Sequence, residues 1–238
     1  MHTVHISKLY TYDTGRFPIK SRSRNQYIMV AYHYDSIAIL VAPFKTRKDK
    51  HRLEAYKSIM TRLRRNVMSV NLQILDNEAS SKFKHLVTEY LGIKCQLVPP
   101  YIHRRNAAER AIRTFKAHFL SILAGIAPDL LKFSSDYLLH QTEMTLNFLQ
   151  QSTLDPTKSA WEFFNAPFDY AATPIGSLGC QIIIRKKPSM HNTWDFCGKY
   201  GWSLECYLEH YRCQHVAPKE TKAFQISDTL EYRNHNSF

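Results

Sequence analysis

The chain has 238 residues, 44% of them hydrophobic and 22% charged, enough for one large domain or a medium and a small one, which excludes wholesale disorder. Lys and Arg number 32 against 20 Asp and Glu, and this balance of +12 favours a polyanionic partner, because bases that neutralise phosphates release bound counterions. No apolar run approaches the ~20 residues of a membrane span, the opening residues carry no secretory apolar stretch, and five cysteines without a C-x-x-C pair suit a reduced, intracellular compartment.

In chain order, residues 7–13 and 26–34 are rich in Tyr, Ile, Val and Thr and read as strands. Asp35 reads as a tight connection to a third strand over 36–42, and Pro43 is expected to end the set. A long helix is expected over 47–66, with Thr46 at its N-terminus and Asp49 in the place of a capping-box acid. Leu53, Tyr56, Met60 and Leu63 form its apolar stripe, and Lys48, Arg52, Arg62 and Arg65 lie off it. A short strand over 70–75 precedes a helix over 82–91 stopped by Gly92, then a strand over 93–98 stopped by Pro99 and Pro100.

The helix expected over 106–124 carries the most information. It sets Ala108, Ala111, Ile112, Phe115 and Phe119 on one side, with Glu109, Arg113 and Lys116 on a flanking stripe. Further helices are expected over 136–149 and 159–164. From about residue 173 short alternating runs at 181–185, 211–216 and 224–230 suggest a small antiparallel β domain.

Three carboxylates stand at telling places. Asp13 ends the first strand, Asp76 follows the strand after the long helix, and Glu109 lies in the first turn of a helix. Groups at strand ends and helix starts of an α/β sheet can converge, and converging carboxylates bind Mg²⁺. Each also has a plain structural alternative: Asp13-Thr14-Gly15 and Asp76-Asn77-Glu78 as turns, and Glu109 as a favourable charge on the helix dipole. Cations surround the third acid: His103, Arg104 and Arg105 before it, then Arg110, Arg113 and Lys116.

The runs Tyr12-Asp13-Thr14-Gly15-Arg16-Phe17-Pro18, Leu75-Asp76-Asn77-Glu78, Pro99-Pro100-Tyr101 and Asn106-Ala107-Ala108-Glu109-Arg110 resemble the acidic motifs of retroviral-type integrase cores, in particular those of copia-like LTR retrotransposons. The resemblance is strongest over residues 7–123, and residues 179–230 are similar to the small SH3-like domain that follows such cores. It implies an α/β, RNase H-like core with a mixed five-stranded sheet flanked by helices over 1–125, a helical extension over 126–172 and a small SH3-like β domain over 173–238. It also implies Asp13, Asp76 and Glu109 as catalytic ligands of two Mg²⁺ or Mn²⁺ ions, with Arg113 and Lys116 in the places of the family helix's basic residues; Arg104, Arg105 and Arg110 around Glu109 are expected to hold DNA with them. The implied activity is metal-dependent 3′-end processing and strand transfer by a homo-oligomer acting in the nucleus or a retroelement particle, with no membrane. The family's first aspartate commonly stands three residues before the glycine, a place held here by Tyr12. A non-catalytic DNA-binding remnant of an integrase and a nuclease that cuts without joining remain as alternatives.

Cys197, Cys206, His210, Cys213 and His215 lie close in sequence, but their spacing matches no structural zinc pattern. Buried cysteines and surface histidines are the expectation there, with Arg185, Lys186 and Lys187 available to DNA backbone.

Overall fold

The structure is a computed structural model that describes residues 7–17, 20–65, 70–75, 80–98, 107–126, 130, 136–187, 189, 192–221 and 223–233. The chain divides into two compact units, Met1–Leu120 with Thr142–Phe168, and Ser121–Gln141 with Asp169–Phe238. Among the described residues no helix is long and apolar enough to cross a membrane.

The first unit is built on a mixed sheet of β1 (Lys8–Asp13), β2 (Tyr27–His33), β3 (Ile39–Phe44), β4 (Leu72–Leu75) and β5 (Lys94–Leu97). Its order is β3-β2-β1-β4-β5, with β1, β2 and β3 antiparallel and β4 and β5 parallel to β1. Helices α1 (Asp49–Arg65), α2 (Ser81–Leu91), α3 (Ala107–Ala124), α4 (Leu138–Phe148) and α5 (Ala160–Phe164) follow in chain order. This is the RNase H-like arrangement expected from the sequence.

One face of the sheet packs on α1 and α2. Leu9, Met29, Ala31, Leu40, Ala42 and Leu75 meet Ala55, Tyr56, Ile59, Met60 and Leu63 of α1 and Phe83 and Val87 of α2. A polar chain runs through this layer: Tyr56 Oη donates to Gln73 Oε1 and Gln73 Nε2 donates to Thr11 Oγ1, both at 2.9 Å. Gln73 is fully buried, so each of its amide atoms needs such a partner. His33, also fully buried, joins Ser7 Oγ and Ser36 Oγ through its two ring nitrogens, each at 2.8 Å.

β3 is an edge strand, and its exposed backbone is covered by side chains. Asn147 accepts from Ile39 N and donates to Ile39 O, both at 2.9 Å. Glu143 Oε2 accepts from Val41 N at 2.7 Å, and Arg62 donates to Glu143 and to Val41 O. Such cover removes the free edge that invites pairing with another chain. Edge position also explains why Pro43, expected to end the strand, sits inside β3 opposite Ile28. The strand begins at Ile39 and not at Ser36, because residues 34–36 form the turn.

Helix limits follow local chemistry. α1 starts at Asp49, whose carboxylate accepts from Ser80 Oγ at 2.9 Å and does not close a capping box with Thr46. Ser80 caps α2 by accepting from Phe83 N, and Gly92 at φ 66° ends it by donating to Thr88 O. Ser159 and Glu162 form a reciprocal capping box at α5.

The second unit holds β6 (Gln181–Arg185), β7 (Gly198–Cys206), β8 (Gln214–Pro218), β9 (Gln225–Ser227) and β10 (Leu230–Tyr232). They form one antiparallel sheet in the order β10-β6-β7-β8-β9, the small β domain expected from the sequence. The run expected as a strand over 211–216 begins only at Gln214, because Arg212 turns the chain at φ 54°. The run over 224–230 is two short strands and not one. β7, the longest strand, escapes sequence reading because its glycines look like turn residues. Gly201 is there for space: a Cβ would lie 2.8 Å from Ala217 O.

Candidate nucleic-acid interface and the acidic residues

β1 alternates its side chains between the two faces of the sheet. Leu9 lies in the core under α1, Thr11 bonds Gln73 within that layer, and Asp13 falls on the same face two residues further. Asp13 is paired with Met29, itself part of the α1-side core, so it belongs to the strand and does not lie in a loose turn. Its carboxylate meets α1: Arg52 Nε lies 2.6 Å from Asp13 Oδ2, with side-chain exposures of 21% and 15%. Burial raises the Asp13 carboxyl above its ordinary 3.8, opposed by Arg52 and then by Arg47. Arg47 also lies over the Tyr27 ring, 5.5 Å from its centroid.

The opposite face of β1 carries Tyr10 and Tyr12. Tyr10 is paired with Tyr32 in register, their rings 6.2 Å apart, and also meets the ring of Tyr34. The Tyr32 hydroxyl is raised by burial and then lowered in part by the Arg110 guanidinium, which places the start of α3 within electrostatic reach of this tyrosine face. Further along α3, Phe119 packs on Phe17 and stacks on Phe115. Ala111, Ile112, Phe115 and Phe119 form the buried side of α3, as the sequence stripe predicts. None of them belongs to the core cluster under α1.

Glu109 stands in the first turn of α3 and is half-buried, while Arg110, Arg113 and Lys116 are exposed. The helix therefore presents three cations to solvent, with Glu109 on the same stripe as Arg113 and Lys116. Behind them, His118 Nε2 meets Thr145 Oγ1 at 3.0 Å, and burial lowers the His118 imidazole below its ordinary value.

Two of the three acids singled out in the sequence lie among the described residues, on different elements. Asp13 is on the α1 face with a cation against it, and Glu109 is in the first turn of α3. Asp76, Arg104 and Arg105 lie outside the described residues. In the parallel β1–β4 pair the last matched residues are Thr11 and Leu75, so Tyr12 is the β1 residue one step beyond. A divalent cation needs several oxygens converging on one point. Among the described residues no three His, Cys, Asp or Glu side chains do so, and Asp13 is held against Arg52.

The partner of Asp13 has no local sequence signal. Arg52 reads as a solvated residue off the apolar stripe of α1, and only the packing of α1 on β1 brings the two together. Tyr12, by contrast, is marked in the sequence by its place three residues before Gly15.

The Cys/His run of the second unit makes no metal site among the described residues. Cys206 is buried and Cys197 exposed, and Glu205 receives His215 at 2.8 Å and His140 at 3.3 Å.

No family model matches the sequence, and no curated protein is detectably similar to it. Solved structures are. The catalytic core domain of BIV integrase is similar at a TM-score of 0.48 and 16% identity, over 66% of this chain and 92% of that one. The HTLV-2 integrase catalytic core domain, solved in complex with magnesium, gives 0.49 and 18% over 66% and 95%. A chain of the simian T-cell lymphotropic virus intasome, solved with the PP2A regulatory subunit B56 gamma, gives 0.50 and 16% over 97% and 79%. At that identity the intasome likeness concerns the fold, and it runs through nearly the whole chain.

Proposed function

We propose that this chain is the core and β domain of a retroelement integrase of copia-like type that holds DNA on the basic face of α3, without a metal cage completed by Asp13. One observation carries this reading: the carboxylate of Asp13 is turned to α1 and paired with Arg52, while Arg110, Arg113 and Lys116 stand exposed on a different helix. Exposed cations along one helix suit phosphates, which position a duplex without reading its sequence. The net charge of +12 supports the same partner. Its place of action would be the nucleus or an element particle.

The test is duplex binding as a function of salt. Replacing Arg110, Arg113 and Lys116 together by Gln is expected to weaken binding evenly across sequences and to reduce the log–log salt slope by up to about 3. An unchanged slope would remove α3 from the interface. The intact chain is expected to give no Mg²⁺- or Mn²⁺-dependent joining of element ends.

A second reading keeps the full activity: end processing and strand transfer with Asp13, Asp76 and Glu109 around Mg²⁺ or Mn²⁺, in a homo-oligomer that holds two DNA ends. The chain order of the three acids and the position of Glu109 beside the cations of α3 favour it. It requires Asp13 to exchange Arg52 for a metal ion.

A further inference from the structure

The hairpin between β6 and β7 carries the two most exposed aromatic side chains among the described residues, Trp194 at 97% and Phe196 at 91%. Large apolar rings held almost wholly in water mark a contact surface. The turn that bears them is ordered: Asn192 donates from its backbone N and its Nδ2 to Asp195 Oδ2, both at 3.1 Å, and Asp195 N donates back to Asn192 O. At the hairpin's base Lys186 N donates to Cys197 O at 2.8 Å, so the lysine backbone sits directly across from the residue after Phe196.

That base opens into a cavity of about 880 Å³ lined by Arg185, Lys186, Lys187 and Lys199, with Asp228 as its acid. Arg185 is engaged by Glu231, which leaves the three lysines as the cations facing the opening. Aromatic faces beside a basic groove are what a strand of unpaired nucleotides needs: the rings stack on bases and the lysines follow the phosphates. A base-paired duplex offers no free base faces to the two rings.

We propose that this hairpin binds single-stranded nucleic acid, with Trp194 and Phe196 as base-stacking residues and Lys186, Lys187 and Lys199 as backbone contacts. The surface lies within the second unit and shares no residue with the cations of α3. It deepens the DNA-binding reading and rests on it for the class of ligand.

The experiment measures anisotropy of a labelled oligothymidylate and of a duplex of equal length with the full chain. Trp194→Ala combined with Phe196→Ala is expected to weaken single-strand binding by roughly ten- to a hundredfold and to leave duplex binding unchanged. Replacing the three lysines by Gln is expected to reduce the single-strand salt slope by about 2. Single-strand affinity unchanged in the aromatic variant overturns the proposal. So does equal loss on both nucleic acids, or binding of anionic phosphatidylserine vesicles through the two rings with no oligothymidylate binding. The α3 variant read in parallel separates the two ideas, because loss of duplex binding there with intact stacking-variant behaviour refutes only this one.

Discussion

Arg52 of α1 holds the last residue of β1, its Nε 2.6 Å from Asp13 Oδ2 on the face of the sheet turned away from the tyrosines. That pair decides what the acid can do. It also gives the protein a measurable dependence on pH.

The native Asp13 carboxyl is raised above 3.8, first by burial, with Arg52 as the largest opposing influence. For an acid raised in the folded state, the native protein binds the extra proton. Its contribution to stability is present below the unfolded value and is lost as pH rises through the folded one. Denaturant titrations of the wild type and Asp13→Asn are therefore expected to diverge in the acid range, the wild type losing ground as pH increases past 3.8. Arg52→Gln extends that loss to higher pH. A difference between the two proteins that does not vary with pH would contradict the assignment.

Tyr12 lies on the face opposite Asp13 and one residue beyond the Thr11–Leu75 pairing. Tyr12→Asp puts a carboxylate on the tyrosine face, opposite Asp13. Mn²⁺ binding by isothermal titration is expected to appear in this variant and to be at least tenfold tighter than in the wild type. Equal, weak heats from both proteins would show that this position does not face the other acids.

Glu143 accepts three contacts from two donors at the β3 edge: one from Val41 N and two from Arg62 Nη1. Glu143→Leu leaves Val41 N and the Arg62 guanidinium without that acceptor. A loss of about 2–3 kcal/mol in urea unfolding is expected, together with faster aggregation from the uncovered edge. Glu143→Gln keeps the shape and one acceptor, so its loss is expected to be smaller.

Tyr56→Phe removes the donor to Gln73 Oε1 in a fully buried layer. The orphaned acceptor is expected to cost about 1–3 kcal/mol. Burial pushes the Tyr56 hydroxyl far above its ordinary 10.0, so the proton it donates is present at neutral pH. Urea midpoints of the two proteins, compared at neutral pH, check this.

Much of the first sheet is legible in the sequence, because β1 alternates around Tyr10, Thr11 and Tyr12, β2 is a nearly unbroken apolar and aromatic run, and Gly92 announces the end of α2. The buried side of α3 follows from its 3.6-residue stripe. What sequence cannot supply is decided by tertiary contact. Pro43 continues a strand because that strand is an edge, Gly201 sits in β7 because Ala217 O leaves no room for a Cβ, and Arg212 bends a Tyr/His-rich run out of β8. The order of the acids is likewise plain in the sequence. Their faces are not: alternation sets Asp13 with Leu9 and Thr11, but only the packed layers reveal that α1, and not α3, covers that side.

The most direct test is an anomalous difference map from crystals soaked in Mn²⁺. The expected result is Asp13 still paired with Arg52 and no manganese bound to its carboxylate. A manganese ion at coordinating distance, about 2.1–2.2 Å from Asp13 Oδ and shared with Glu109, would contradict the account.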